Sequence, residues 1–342
     1  MKTAVLIPCY NEAKSIKKVV EDFKTTMPDA EIYVYDNNST DGTDEVAREA
    51  GAVVRYETRQ GKGNVIRTMF REIEADCYII VDGDNTYPAA FAPGFRRMIL
   101  SGEADMVIGD RLSSSYFTEN KRRFHNFGNV LVRWLINHLF HAGISDIMTG
   151  ARAFSRDFVK SFAVFSKGFE IETEMTIFAL ENNFKISEVP IEYRDRDSDN
   201  PSKLSTYSDG YKVIKTIFRL LRDDKPAVFF GTIGFITILI GLALFIPIFI
   251  EFLNTGQVLK YPTLIVISAF WVIGILSIFS GMILSLVNTR ARQEFERFMN
   301  MLYICDGIRK NLEDPDETVG GYGAPGTDRL RRRKEWKGWN ER

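Results

Sequence analysis

A chain of 342 residues carries 44 basic and 45 acidic side chains, for a net charge of −1. That balance gives no global affinity for nucleic acid, which is not expected as a partner. The length suggests two structural units, and roughly 200 residues suffice for one well-buried core. Its three cysteines, Cys9, Cys77 and Cys305, are far apart and lack metal-ligand spacing, which argues against a disulfide framework and fits a reducing cytosol.

The first apolar run, Ala4–Ile7, stops at Pro8 and is too short for a signal-peptide core. It reads as a strand, as do Ile32–Tyr35, Val53–Tyr56, Tyr78–Val81 and Met106–Ile108. Helical patterns over 12–26, 43–50, 63–74 and 89–101 lie between them. Such alternation predicts an α/β fold with a mostly parallel, Rossmann-like sheet and helices on both faces. Ligands of such sheets bind outside the carboxyl ends of the strands. The residues following the strands are Pro8-Cys9-Tyr10-Asn11-Glu12, Asp36–Thr43, Asp82-Gly83-Asp84-Asn85-Thr86-Tyr87-Pro88 and Gly109-Asp110-Arg111. Polar groups therefore gather at one edge of the sheet. Asp82 and Asp84, one residue apart after a buried strand, suit a hard divalent cation, Mg²⁺ or Mn²⁺. Gly61-Lys62-Gly63 lacks P-loop spacing, and no Gly-x-Gly-x-x-Gly follows the first strand, which disfavours a dinucleotide dehydrogenase.

Further along, residues 206–224 carry an apolar stripe of Tyr207, Tyr211, Ile214, Phe218 and Leu221, with Lys212, Lys215, Arg219 and Arg222 off it. This predicts an amphipathic helix in the headgroup layer. No charge occurs from Ala227 to Ile250 or from Tyr261 to Thr289, and a bilayer core needs about 20 apolar residues per helix. A two-helix transmembrane hairpin is expected, spanning about 227–250 and 263–288. Basic residues flank both outer ends, while the connecting loop holds only Glu251 and Lys260 as charges, so both termini should be cytoplasmic. The domain plan is thus a catalytic domain over 1–204, an interfacial helix over 205–226, a hairpin over 227–290 and a partly disordered cytoplasmic tail over 291–342. The tail's cluster Arg329–Lys334 is basic enough to meet anionic lipid.

The set Ile7-Pro8-x-Tyr10-Asn11-Glu12, Asp36-Asn37-Asn38-Ser39-x-Asp41-Gly42-Thr43, Gly61-Lys62-Gly63 and Asp82-Gly83-Asp84 resembles family 2 glycosyltransferases of the GT-A fold. Ser145–Phe154, Gly168-Phe169-Glu170-Ile171-Glu172, Val189-Pro190-Ile191 and Ser202-Lys203-Leu204 narrow the resemblance. They look like polyprenyl-phosphate glycosyltransferases, the group of dolichyl-phosphate mannose synthase and bacterial undecaprenyl-phosphate transferases. The likeness covers about residues 3–290.

That resemblance implies an inverting transfer from a nucleotide sugar to undecaprenyl or dolichyl phosphate at the cytoplasmic face of the cell membrane. It implies that Pro8, Tyr10, Glu12, Tyr35, Asp36, Asn37 and Lys62 line the nucleotide pocket, with Gly83 beside them. Asp82 would meet the ribose or sugar and Asp84 the metal. Where the family often has Gln as a third ligand this chain has Thr86, a shorter and weaker one. Asn37 stands where the family usually has a second Asp. An amide both donates and accepts, which suits uracil better than guanine, so a UDP-sugar is favoured. Arg111 and Lys203 would offset charge on the leaving diphosphate, and Arg122, Arg123, Arg196 and Lys203 would hold the acceptor phosphate. Asp146 is the family's candidate base, although a phosphate with a second pKa near ~6 needs little base assistance. Its other reading is a turn residue or a partner for Arg152. Glu170, Glu172 and Glu174 either shape the sugar pocket or enrich a helix N-terminus in acid. By analogy with similar two-span enzymes, a homotetramer is expected.

Two rival readings differ in class. A processive polysaccharide synthase would carry Gln-x-x-Arg-Trp, but Val130-Leu131-Val132-Arg133-Trp134 lacks the Gln. A catalytically silent membrane scaffold would not need Asp82, Asp84, Arg111 and Lys203 together.

Overall fold

The computed structural model describes residues 1–112, 133–168, 170–194, 218, 221–223, 225–258 and 260–313, with side chains to 305. Arg122, Arg123, Arg196, Lys203, most of the expected 205–226 helix and the tail beyond 313 lie outside the described residues.

The sheet has seven strands in the order β3-β2-β1-β4-β6-β5-β7. These are β1 (Thr3–Cys9), β2 (Glu31–Asp36), β3 (Val53–Tyr56), β4 (Cys77–Ile80), β5 (Met106–Asp110), β6 (Arg152–Ser155) and β7 (Ile186–Pro190). Every pairing is parallel except those of β6, which runs antiparallel to β4 and β5. The sequence reading placed the first five strands and missed β6 and β7. Between the strands run α1 (Ala13–Thr26), α2 (Thr43–Glu49), α3 (Lys62–Glu72) and α4 (Ala92–Leu100), followed by a helical segment α5 (133–140), α6 (Arg156–Ser161) and α7 (Ile171–Glu181).

Strand alternation divides the core in two. In β1, Ala4 and Leu6 join one cluster, with Tyr35, Ile66, Met69, Phe154 and Met175. Val5, Ile7 and Cys9 join the other, with Ile16, Val20, Phe23, Phe95 and Ile99. Both faces of β1 are buried, as expected of a central parallel strand. Helix α1 supplies its face at a spacing of three to four residues, through Ile16, Val19, Val20 and Phe23.

Register fixes where the site forms. Cys9 pairs with Asp36, so β1 and β2 end level, while β4 ends three residues earlier, where Ile80 pairs with Leu6, and its following segment runs on along that edge. Arg152, at the start of the reversed β6, pairs with both Ile80 and Ile108. The segment before β6 therefore reaches the same edge as the segments that follow the other strands.

Two long helices follow, α8 (Pro226–Thr255) and α9 (Tyr261–Glu313). Each is long and apolar enough to cross a membrane, with mean hydropathy of 2.8 and 2.3 over its best window. Only 17% of each window is buried. Their outward faces expose Phe235, Ile236, Leu239, Val272, Leu276 and Phe279. The buried seam recurs every seven residues: Gly234, Gly241 and Ile248 on α8, Ile267, Gly274 and Gly281 on α9. A Cβ on Gly234 would lie 2.5 Å from the Gly274 carbonyl, and one on Gly274 would lie 2.9 Å from the Gly234 carbonyl. Glycines thus let the two backbones touch. Ser277 Oγ donates across the seam to the Phe230 carbonyl at 2.9 Å.

The chain divides into two compact units, Met1–Thr289 and Arg290–Arg342. Within the first, the Lys225 ammonium lies 5.2 Å from the Phe140 ring centre, joining α5 to the foot of α8. The first span outlasts its expected end at 250 and stops at Gly256, whose φ of 68° and amide bond to the Phe252 carbonyl cap the helix. The second outlasts its expected end at 288, because the charged residues after Thr289 interrupt hydrophobicity and not helical propensity. The beginning of the expected tail at 291 is therefore helical.

Candidate active site

The β1–α1 and β2–α2 segments brace each other. Asn11 N donates to Ser39 Oγ at 2.9 Å, and Thr40 N returns a bond to Asn11 Oδ1 at 2.8 Å. Asp41 Oδ2 accepts from Ala13 N at 3.0 Å, while Thr43 Oγ1 accepts from Glu12 N at 2.9 Å. Ser39, Asp41 and Thr43 therefore satisfy open amides at the start of α1. Asp36, only 5% exposed, accepts from Ser39 N through Oδ2 at 3.0 Å. Its buried Oδ1 has no hydrogen-bond partner among the described residues.

Neighbouring predicted contacts fall differently. The Asn37 amide is fully engaged. It donates to the carbonyls of Glu57 and Arg59 at 2.7 and 2.9 Å and accepts from Gly61 N and Gln60 Nε2 at 2.7 and 3.3 Å. It shapes the 57–61 loop from inside and has nothing left for a base, so the argument from Asn37 to uracil does not stand. Tyr35 is also corrected. It is fully buried in the α3-side core, donates its hydroxyl to Glu72 Oε2 at 2.8 Å, and does not line the edge. Pro8, Tyr10 and Glu12 do lie along the edge and are partly exposed.

At the centre, Lys62 Nζ donates to Asp82 Oδ1 at 2.5 Å and to Glu172 Oε1 at 2.6 Å. Burial works against the ammonium, but the two carboxylates outweigh it and hold its pKa raised. Gly61 and Gly63 let a neighbouring segment in: Cβ atoms there would lie 2.1 and 2.2 Å from the carbonyls of Lys167 and Ser166. Gly83 fits under Cys9, where a Cβ would meet Sγ at 2.7 Å. Asp84 Oδ1 accepts from Thr86 N at 3.1 Å and from Thr86 Oγ1 at 2.6 Å. Thr86 is 1% exposed, so its hydroxyl orients Asp84 from below and does not project as a third ligand. No group of three or more His, Cys, Asp or Glu able to cage a metal occurs among the described residues. The donor set instead suits Mg²⁺ or Mn²⁺ shared between a carboxylate and substrate phosphates.

Gly150 closes this floor. A Cβ there would lie 2.1 Å from Asp82 Oδ2. Gly150→Ala is expected to push Asp82 aside and to lower turnover at least tenfold with little change in unfolding midpoint. Steady-state kinetics beside thermal denaturation checks this.

Arg111 is held on several sides. Its Nε and Nη2 grip Asp146 Oδ2 and Oδ1 at 2.7 and 3.0 Å, a fork-like pair. Nη1 donates to Tyr87 Oη at 3.3 Å, and the guanidinium lies 5.5 Å from the Tyr193 ring centre. Tyr87 Oη also accepts from Gly150 N at 2.9 Å. Asp146 is 2% exposed and accepts in addition from Met148 N. The carboxylate so enclosed is committed to Arg111 and to the main chain that carries it. Glu188 supports it, accepting from Ser145 N at 2.8 Å and from Asp146 N at 3.2 Å, and burial raises its pKa. Beneath, the fully buried Arg152 donates to the carbonyls of Ile147 and Thr149 and to Thr176 Oγ1. Burial pushes its pKa down to about 10. Arg152 thus bonds main chain and hydroxyl, and Asp146 pairs with Arg111.

Of the three acids at α7, only Glu172 turns inward. Glu174 accepts from Phe165 N and Ser166 N, and Glu170 stays at the surface. Sequence reasoning gave no role to Tyr87, Tyr193 or Glu188. Tyr87 stood in the Asp82–Pro88 segment, where an aromatic so close to paired carboxylates was the available signal.

An α/β sheet of this order, with paired carboxylates after β4 and a buried arginine after β5, defines a GT-A glycosyltransferase. The glycosyl transferase family 2 model matches residues 4–162, and the chain belongs to that family. A dolichyl-phosphate hexose transferase of Haloferax volcanii is 30% identical over 223 residues, 65% of this chain and 95% of that protein. Glycosyltransferase AglJ of the same organism is 29% identical over 295 residues, 86% and 96% of the two chains. Among solved structures, glucosyl-3-phosphoglycerate synthase from Mycobacterium tuberculosis shares the fold with a TM-score of 0.53 at 21% identity, over 64% of this chain and 78% of that one.

Proposed function

We propose that this glycosyltransferase moves a sugar from a UDP-sugar to a polyprenyl phosphate at the cytoplasmic membrane face, with inversion at the anomeric carbon. The observation that carries the reading is the union in one compact unit of a sugar-transfer edge and a hairpin whose outer faces are exposed and apolar. Such a hairpin keeps the edge where a lipid-linked acceptor is found. The relative named as a dolichyl-phosphate hexose transferase supports that acceptor class.

The uridine reading now rests on Asp36. One of its oxygens is taken by Ser39 N and one is open. That open oxygen can accept from the imide N–H of uracil. The M. tuberculosis synthase has been solved with Mn²⁺ and UDP-glucose, which fits this reading. Asp84 would hold the metal, which supplies charge stabilisation to the departing diphosphate. Arg111, already aligned by Asp146, would place positive charge beside the diphosphate. In the displacement an acceptor phosphate oxygen forms the new bond to sugar C1 as the C1–diphosphate oxygen bond breaks, releasing UDP. No proton need be removed, because a phosphate monoester is mostly dianionic at neutral pH. Arg122, Arg123, Arg196 and Lys203 are the proposed acceptor-side cations, and the basic flanks of the spans favour cytoplasmic termini.

The test is to incubate the purified chain with undecaprenyl phosphate, Mn²⁺ or Mg²⁺ and a panel of nucleotide sugars. A sugar-phosphate lipid formed from a UDP-sugar is expected. No product with any donor counts against the reading, and tighter binding of GDP than of UDP counts against the uridine assignment.

A further inference from the structure

The Lys62 ammonium joins two carboxylates of different origin, Asp82 after β4 and Glu172 on α7. Their bonded oxygens are therefore no more than about 5 Å apart. The Glu172 side chain is 6% exposed, and only its Oε1 meets Lys62. Its Oε2 is buried with no hydrogen-bond partner among the described residues. A buried carboxylate oxygen left open is costly, and such an atom beside a binding edge calls for a ligand donor.

The chemistry of that donor can be narrowed. A phosphate is repelled by the carboxylate. A cation is opposed by the lysine already on Oε1 and by the buried Arg152 guanidinium, which bonds Thr176 one helical turn from Glu172. A neutral O–H remains. Position narrows it further. Across the sheet edge Asp36 ends β2 and Asp82 follows β4, while Glu172 stands beside Arg152 of β6. A nucleotide sugar lying along this edge with its base at Asp36 brings its sugar, not its base, to Glu172.

We propose that Glu172 is a specificity-determining residue that accepts a hydrogen bond from one hydroxyl of the transferred sugar, with Lys62 fixing its rotamer through the other oxygen. The inference rests on the donor class proposed above. It predicts that sugars lacking or inverting that hydroxyl are rejected at this position, because a site built around a polar partner discriminates strongly against its absence.

The test uses the full chain in detergent with the donor the wild type accepts, its monodeoxy analogues and UDP alone. Glu172→Gln keeps the shape and an acceptor for Lys62 but replaces an acceptor with an N–H donor. UDP affinity is expected to stay within about threefold, while kcat/KM for the parent donor falls about a hundredfold. One monodeoxy donor should lose about a hundredfold with the wild type and almost nothing further with Glu172→Gln. If Glu172→Gln does not fold, Glu172→Asp, which withdraws the carboxylate by one methylene, is read in the same way. Equal loss of UDP and UDP-sugar affinity overturns the assignment, as does the same deoxy penalty in variant and wild type. A wild type silent with every donor overturns the proposed function and this inference with it, whereas an active wild type isolates the failure to Glu172.

Discussion

Replacing Asp84 with alanine is expected to cut sugar transfer by about a thousandfold or more and to abolish the response to added Mn²⁺ or Mg²⁺. The size follows from the several kcal/mol a metal lends to a transition state in which diphosphate charge grows, each 1.36 kcal/mol being about tenfold in rate. Asp82 gives an oxygen to a lysine, and Asp84 Oδ1 accepts from the Thr86 hydroxyl, which aims the carboxylate. Asp84 sits in a segment between elements, so the fold should survive. Calorimetric titration of Mn²⁺ in the presence of UDP gives an independent readout, and the variant should show weakened metal binding. Full activity without metal dependence would contradict the assignment.

Asp146→Ala is expected to destabilise the catalytic region by about 3–5 kcal/mol, because it removes the carboxylate from a buried, two-point ion pair. The double change Arg111→Met with Asp146→Leu should recover much of that stability and none of the transfer, since an apolar pair of similar bulk avoids the buried charge. Unfolding in detergent followed by fluorescence measures the first effect, and kinetics the second. Asp146→Asn separates positioning from base catalysis. A positioning role predicts a lower unfolding midpoint together with weaker donor binding. A base predicts unchanged donor binding and a collapse of kcat alone.

The N-terminal half of the fold was legible because its signals are local. Short apolar runs alternate with helical periods from Ala4 to Ile108, and each predicted strand coincides with an observed one. β6 was not legible. It opens on a fully buried arginine and takes its reversed direction from pairing with β4 and β5, both distant in sequence. The same divide runs through the site. Asp82, Asp84, Lys62 and Arg111 announced themselves by type and place. The engagement of Asn37 with the 57–61 loop depends on contacts some 20 residues away, as does the grip of Asp146 on Arg111 across 35. Tyr35 could have been placed: strand alternation puts it on the same side as Tyr33, beneath α3, and motif proximity obscured that.

The seven-residue recurrence of glycine along α8 and α9 gives the hairpin a phase as well as a seam. Each residue advances a helix by about 100°. One residue inserted between Gly234 and Gly241 would swing the second glycine away from Trp271, whose indole lies 2.7 Å from where a Cβ would stand, and bring a larger side chain against that ring. The two helices therefore tolerate exchange of one oily side chain for another on their outer faces, but not a change of length between contacts. Their composition is loosely constrained, and their spacing is rigidly so.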